Sequence, residues 1–200
     1  SRGAKPFWME TNTLYVGRRS NAVDHLMLAH EHGFGVEATG IPVVLADGLS
    51  GRDEVQVEIG ARHASHANVA QGVANCDALL VVTHATGHLA AGYGGAIKNL
   101  GMGLSSRKGK LYQHSVVKPR VDPEACRGDE ACLKWCPAQA LAMKDGAAFI
   151  DEGKCIGCGE CLAVCRPGAI TFQWKIASKL MQERMVEQAL GVTRLKQGRI

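Results

Sequence analysis

The stretch Cys155-Ile156-Gly157-Cys158-Gly159-Glu160-Cys161-Leu162-Ala163-Val164-Cys165, together with Cys126-Arg127-Gly128-Asp129-Glu130-Ala131-Cys132-Leu133-Lys134-Trp135-Cys136-Pro137, holds seven of the chain's eight cysteines. In the later run three thiolates stand two residues apart, close enough to wrap one face of an iron–sulfur cube. The fourth, three residues further on, points to another cube. The reading is a chain that moves electrons.

The doubled run has the spacing of a bacterial two-cluster ferredoxin, with one departure: Asp129 stands where a second cysteine of the first run belongs. Crossed ligation assigns Cys155, Cys158, Cys161 and Cys136 to one complete [4Fe–4S] cluster. Cys126, Cys132 and Cys165 are left to the other. That one is a [3Fe–4S] cluster with Asp129 unbound, or a [4Fe–4S] cluster whose last iron takes a harder oxygen ligand from Asp129 or water. Either way two iron–sulfur clusters of different potential are expected. After Cys165, Arg166 occupies the place that Pro137 fills after Cys136.

Zinc sites and disulfides are the competing readings. Zinc generally takes separated cysteine pairs or histidine partners, and cysteines this dense suit a metal in a reducing compartment rather than disulfides. Each run is followed by a short apolar stretch, Ala140–Met143 and Ala169–Phe172, as expected of strands in a ferredoxin pseudo-repeat.

With 200 residues, 46% hydrophobic and 21% charged, the chain has room for a core and one small appended unit. A net charge of +4 is too mild, and 5% aromatic residues too few, for a nucleic-acid surface. No membrane segment is visible: the longest weakly charged stretch, 66–97, is interrupted by Asp77 and studded with Gly, Asn and His. Arg18-Arg19 is not followed by an apolar core, so no export signal is read there. The expected location is the cytoplasm.

Ahead of the cysteines the pattern is α/β, with a layered sheet. Pro6–Met9, Pro42–Ala46 and Ala78–Thr83 read as buried strands and Glu54–Ile59 as a half-buried one. Ser20 is expected to cap a helix running to about His32, ended by Gly33 and Gly35, and residues 63–74 read as a second helix. The expected organisation is an α/β domain over 1–117, an inserted α+β two-cluster ferredoxin-like domain over 118–174 and a helical segment over 175–200, amphipathic from Lys175 to Leu190.

The second informative region is Thr83-His84-Ala85-Thr86-Gly87-His88, continuing through Gly94-Gly95-Ala96-Ile97-Lys98 to Gly103. In α/β sheets ligands bind beyond the carboxyl ends of strands. Gly94-Gly95 ahead of a short helix could present N–H groups to an anion while Lys98 supplies charge. It matches neither the phosphate-loop nor the dinucleotide fingerprint. His114 could converge on the same place. His25, His30, His32, His63 and His66 read as surface or capping residues, and Cys76 as a small core hydrophobe.

Three stretches carry a family resemblance: Thr83–Gly103, Thr11-Asn12-Thr13-Leu14-Tyr15-Val16-Gly17-Arg18-Arg19, and Ala46-Asp47-Gly48. Together with the cysteine runs they resemble the iron–sulfur centre proteins grouped as domain of unknown function 362. The resemblance covers nearly the whole chain and is to the central portion of longer members. It implies a partial α/β domain with a ferredoxin insertion, in cytoplasmic proteins of bacteria and archaea. It also implies a site at His84, His88, Lys98 and His114, which match recurring polar positions of that family; Asp129 departs from members with a full cysteine set. Two functions follow. One is an electron carrier docking on a redox partner protein. The other is a reductase that passes electrons to a small-molecule substrate or metal held by those four residues.

Overall fold

The structure is a computed structural model that describes residues 3–14, 17–88, 91–114, 118–136, 138–155, 160–172 and 178–200. Along the chain run β1 (Trp8–Glu10), α1 (Ala22–Ala29), α2 (Val36–Thr39), β2 (Val43–Leu45), β3 (Glu54–Glu58), β4 (His66–Ala70) and α3 (Gln71–Asn75). Then come β5 (Thr86–His88), β6 (Gly92–Gly94), α4 (Ala96–Lys98), a wide helical turn at Asn99–Gly103, and α5 (Arg107–His114). The cysteine-rich part contains β7 (Pro119–Val121), α6 (Ala131–Lys134), β8 (Leu141–Lys144), β9 (Ala147–Ile150), α7 (Glu160–Val164) and β10 (Ile170–Phe172), and α8 (Ser178–Lys196) closes the chain.

This is a mixed α/β protein of small sheets and helices. Among the described residues the strands form five two-stranded ladders rather than the single layered sheet expected from the sequence. β1 pairs with β2 in parallel, through Trp8↔Val43 to Glu10↔Leu45, and β3 pairs antiparallel with β4 from Glu54↔Ala70 to Glu58↔His66.

Three local expectations are corrected. Residues 63–74, read as a helix, contain β4, and the helix starts only at Gln71. β4 is held by long-range forces: the alternating strand β3 pairs along one edge, and α8 covers it, so that Ala67 to Ala70 are buried in succession. Ala78–Thr83, read as a buried strand, is unpaired, with Leu80 91% and Val82 74% exposed. It is held by its neighbours instead: Leu79 N–H donates to Arg199 O, and the Asn99 amide donates to Val82 O and Thr83 Oγ1. The first helix is capped one residue later than expected, by Asn21, whose Oδ1 accepts from Asp24 N–H at 3.0 Å.

The main core joins distant parts of the chain: Ala46, Ile59, Ala67, Val69, Ala70 and Val73 pack with Val192 of α8. Gly191 permits this approach, because a Cβ there would stand 2.3 Å from Ala67 Cβ. Polar bonds fix the same contact, Gln188 Oε1 accepting from Asn68 N–H and Glu187 Oε1 from His63 N–H.

In the cysteine-rich part, β7 pairs with β10 and β8 with β9, both antiparallel. Asp145 and Gly146, both at positive φ, make the tight turn of the β8–β9 hairpin. The strands expected after each cysteine run are therefore present. A second, smaller core gathers Cys132, Ala148, Cys161 and Ile170. Among the described residues no helix is long and apolar enough to cross a membrane.

Candidate functional site

The described cysteines of this part lie on two helices and four loops. Cys132 on α6 and Cys161 on α7 are buried; Cys126, Cys136, Cys155 and Cys165 are half-buried. Cys158 lies outside the described residues, as do Pro137 and Lys175. Burial pushes the Cys132 thiol up, and the charges of Cys165, Cys126 and Asp129 push the same way. Cys126 and Cys132 of the first run pack with Cys161 and Cys165 of the second in one small core. Two backbone amides address the sulfurs: Ala140 N–H donates to Cys136 Sγ at 3.2 Å and Ala148 N–H to Cys126 Sγ at 3.5 Å.

Asp129 is exposed, and its Oδ1 accepts from Ala131 N–H at 3.1 Å in the turn that leads into α6. One carboxylate oxygen remains for another partner. Among the described residues no three His, Cys, Asp or Glu side chains close around a single ion position. Ligands of a cluster stand further apart than ligands of one ion, because several metal atoms lie between them. The all-thiolate donor set, in a small apolar core with N–H groups turned to sulfur, fits an iron–sulfur cluster.

The second group lies on the β5–β6 hairpin and the helices after it. His88 pairs with Gly92 across the hairpin, and its Nδ1 accepts from Ala91 N–H at 3.0 Å. A neutral His88 ring therefore carries its proton on Nε2. Burial lowers the His88 pKa, and Lys98 lowers it further; burial also lowers that of Lys98. His114, buried at the end of α5, is pushed down to about 4 by burial, then by Lys98, His88 and Lys110. His88, Lys98 and His114 thus share one electrostatic neighbourhood, dominated by positive charge. His84 is exposed, at the start of the segment, outside that grouping.

Sequence reasoning missed the buried lysine behind this group. Lys110 Nζ donates to Thr11 Oγ1 at 2.6 Å, Asn12 O at 2.7 Å and Ser105 O at 3.0 Å. Asp47, fully buried, accepts from Asn12 N–H and from Asn12 Nδ2. Burial outweighs the neighbouring carboxylates at Lys110, whose pKa falls to about 8, and it likewise raises that of Asp47 despite Lys110 and Asn12. The only sequence signal was indirect: Thr11-Asn12 and Ala46-Asp47-Gly48 belong to the stretches that carry the family resemblance.

His25, expected at the surface, is buried at 4% exposure, and burial lowers its pKa. It lines a cavity of about 320 Å³ together with Trp8, Met9, Leu28, Phe34 and Val43. Cys76, expected in the core, is half-buried and donates to Val73 O.

A family model described as Domain of unknown function (DUF362) matches residues 1–196. The chain belongs to DUF362. This DUF362 chain is also similar to proteins named as a ferredoxin, a reductase subunit and a hydrogenase component. An uncharacterised ferredoxin of Methanocaldococcus jannaschii is 40% identical over 48 residues, 24% of this chain and 32% of that protein. A selenate reductase subunit of Mesobacillus selenatarsenatis is 41% identical over 61 residues, 29% of this chain and 21% of that protein. The hydrogenase-4 component A of Escherichia coli is 45% identical over 61 residues, 30% of this chain and 29% of the component. The chain thus spans about a third or less of the length of these curated relatives.

Proposed function

We propose that this DUF362 chain is an iron–sulfur electron-transfer protein with two clusters. Cys155, Cys158, Cys161 and Cys136 would hold a [4Fe–4S] cluster. Cys126, Cys132 and Cys165 would hold a [3Fe–4S] cluster, or a second [4Fe–4S] cluster completed by Asp129 or water. The observation that carries this reading is the packing of Cys126, Cys132, Cys161 and Cys165, drawn from both runs, in one small core. Such clusters supply reversible one-electron carriers when bound. The chain's part is to keep the thiolates in a small dry core and to aim the Ala140 and Ala148 amides at sulfur, which favours the more negative, reduced state.

The proposed organisation is an inserted cysteine-rich unit, 118–174, between an α/β part over 1–117 and the returning helical segment 175–200. The packing of α8 on β4 supports it. The partner is a redox protein, in keeping with relatives named as parts of a selenate reductase and a hydrogenase. A cytoplasmic setting, where thiols stay reduced, suits the free cysteines.

A second reading, a cluster-fed reductase acting on a small molecule, is favoured by the grouping of His88, Lys98 and His114. There Lys98 would hold a carboxylate or phosphate and the imidazoles would donate protons or ligate a metal, with His84 contributing from the rim.

Iron and sulfide analysis of anaerobically purified protein, with electron paramagnetic resonance before and after dithionite, tests the first reading. An S = 1/2 signal in the oxidised state and about seven irons mean that Asp129 stays off the metal; a silent oxidised state with about eight means a second cube. Stoichiometric zinc with little iron defeats it. Copurification of a further metal, lost in His88→Ala with both clusters kept, would favour the reductase.

A further inference from the structure

Among the described residues, charged side chains of the α/β part meet the cysteine-rich part at Trp135 and Glu160. Arg52, just after the turn at Gly51, holds its guanidinium 5.1 Å over the Trp135 ring. Its Nη2 lies 3.6 Å from Glu160 Oε2, and Arg107 Nε lies 3.6 Å from Glu160 Oε1. Glu160 is 18% and Arg107 9% exposed at the side chain, so this pair is sheltered from solvent screening. Arg107 N–H also donates to O of Gly51, the residue before Arg52, at 2.8 Å.

Trp135 immediately precedes Cys136, and Glu160 immediately precedes Cys161. Both cysteines belong to the group assigned to the complete cluster. Asp129, in the other group, is exposed. Arg107 is also the first residue of α5, whose last residue is His114. At 1.5 Å rise per residue the two ends of this helix are roughly 10 Å apart.

We propose that Arg52 and Arg107 are positioning residues that clamp the second cysteine group against α5, which makes it the inner of two electron stations. The inference rests on the two-cluster reading above. An electron from a one-electron donor protein enters at the outer group, marked by Asp129, and leaves through the inner one toward the His88, Lys98 and His114 group. The donor loses one electron and the acceptor gains one, with no bond made or broken in this chain.

The test is a redox titration of the full-length, iron-loaded chain followed by electron paramagnetic resonance, with Glu160→Gln and Arg107→Gln compared with the unaltered protein. Glu160→Gln leaves the arginines unopposed beside the inner group and should raise the midpoint of the [4Fe–4S] cluster held by Cys136, Cys155 and Cys161. Arg107→Gln leaves the carboxylate unopposed and should lower it. The cluster of Cys126, Cys132 and Cys165 should keep its midpoint in both. A merely structural contact would not give shifts of opposite sign confined to one cluster.

Arg52→Ala, at a half-exposed side chain, covers the case in which the buried Arg107 variant does not fold, and should shift the same midpoint downward. Equal shifts in both clusters, shifts confined to the Asp129 group, or no shift would overturn the clamp while leaving the two-cluster reading intact. An unaltered chain that takes up no iron overturns both.

Discussion

Lys110 Nζ stands 3.8 Å from Asp47 Oδ2, with the two side chains 8% and 0% exposed. The pair ties three sequence-distant pieces together: Thr11-Asn12 after β1, the turn after β2, and α5. Hydrogen bonds complete the shell around both charges, the condition under which a buried pair is tolerated.

Removing one partner strands the other. Lys110→Met should destabilise the chain by about 3–5 kcal/mol, read as a lower denaturant midpoint at unchanged slope. The double variant with Asp47→Asn should recover part of that loss, because no uncompensated charge is left buried. A Lys110→Met protein as stable as the unaltered one would show that the pair is not formed.

His114 predicts how stability depends on acid. Its folded pKa, about 4, lies below the ordinary imidazole value of 6.5. Between these values the unfolded chain binds more protons than the folded one, so stability is lost as pH falls from 6.5 toward 4. The loss should be on the order of 3 kcal/mol at the acid end. It should be largely absent in His114→Phe, compared by denaturation at pH 4.5 and pH 7.

Gly101 sits where the turn Asn99–Gly103 meets α8, and a Cβ there would stand 2.2 Å from Met185 O. Backbone cannot yield as the end of a long side chain can. Gly101→Ala should therefore cost about 1–3 kcal/mol through overpacking, visible as a lower melting temperature. Gly87→Ala, where nothing lies within 4 Å of the added atom, is the control expected to change little.

Asp129→Cys supplies the thiolate that the first cysteine run lacks. Iron content should rise to about eight per chain, and any oxidised-state signal of a three-iron cluster should vanish. The hydrogen bond that Asp129 Oδ1 accepts from Ala131 N–H is lost with the carboxylate, at a cost of about 1 kcal/mol or less.

The cysteine-rich part was the more legible half, because its signal is local: the short apolar stretch after each cysteine run forms a strand, β8 and β10, where the residue intervals put it. The α/β half was less so. Ala78-Leu79-Leu80-Val81-Val82-Thr83 has the composition of a buried strand, but apolar content cannot supply a neighbouring strand, and the segment lies unpaired. His66–Ala70 looked helical because its small residues suit either state; β3 and α8, remote in sequence, decide the matter. Buried lysines are the hardest case. Lys110 and Lys196 look like surface residues in any local window, and only the carbonyls folded around them show otherwise. At the candidate site, His88, Lys98 and His114 share one electrostatic neighbourhood, and His84 is exposed.

The dependence of the main core on α8 imposes an order on synthesis. Val192, Gly191 and Gln188 are the partners of Ala67, Val69 and Asn68, yet the ribosome adds them after the last cysteine, Cys165. At about 5–20 residues per second, roughly one to five seconds of synthesis separate Cys165 from Val192. The buried face of β4 therefore waits for α8 to close it, with the whole cysteine-rich stretch already made.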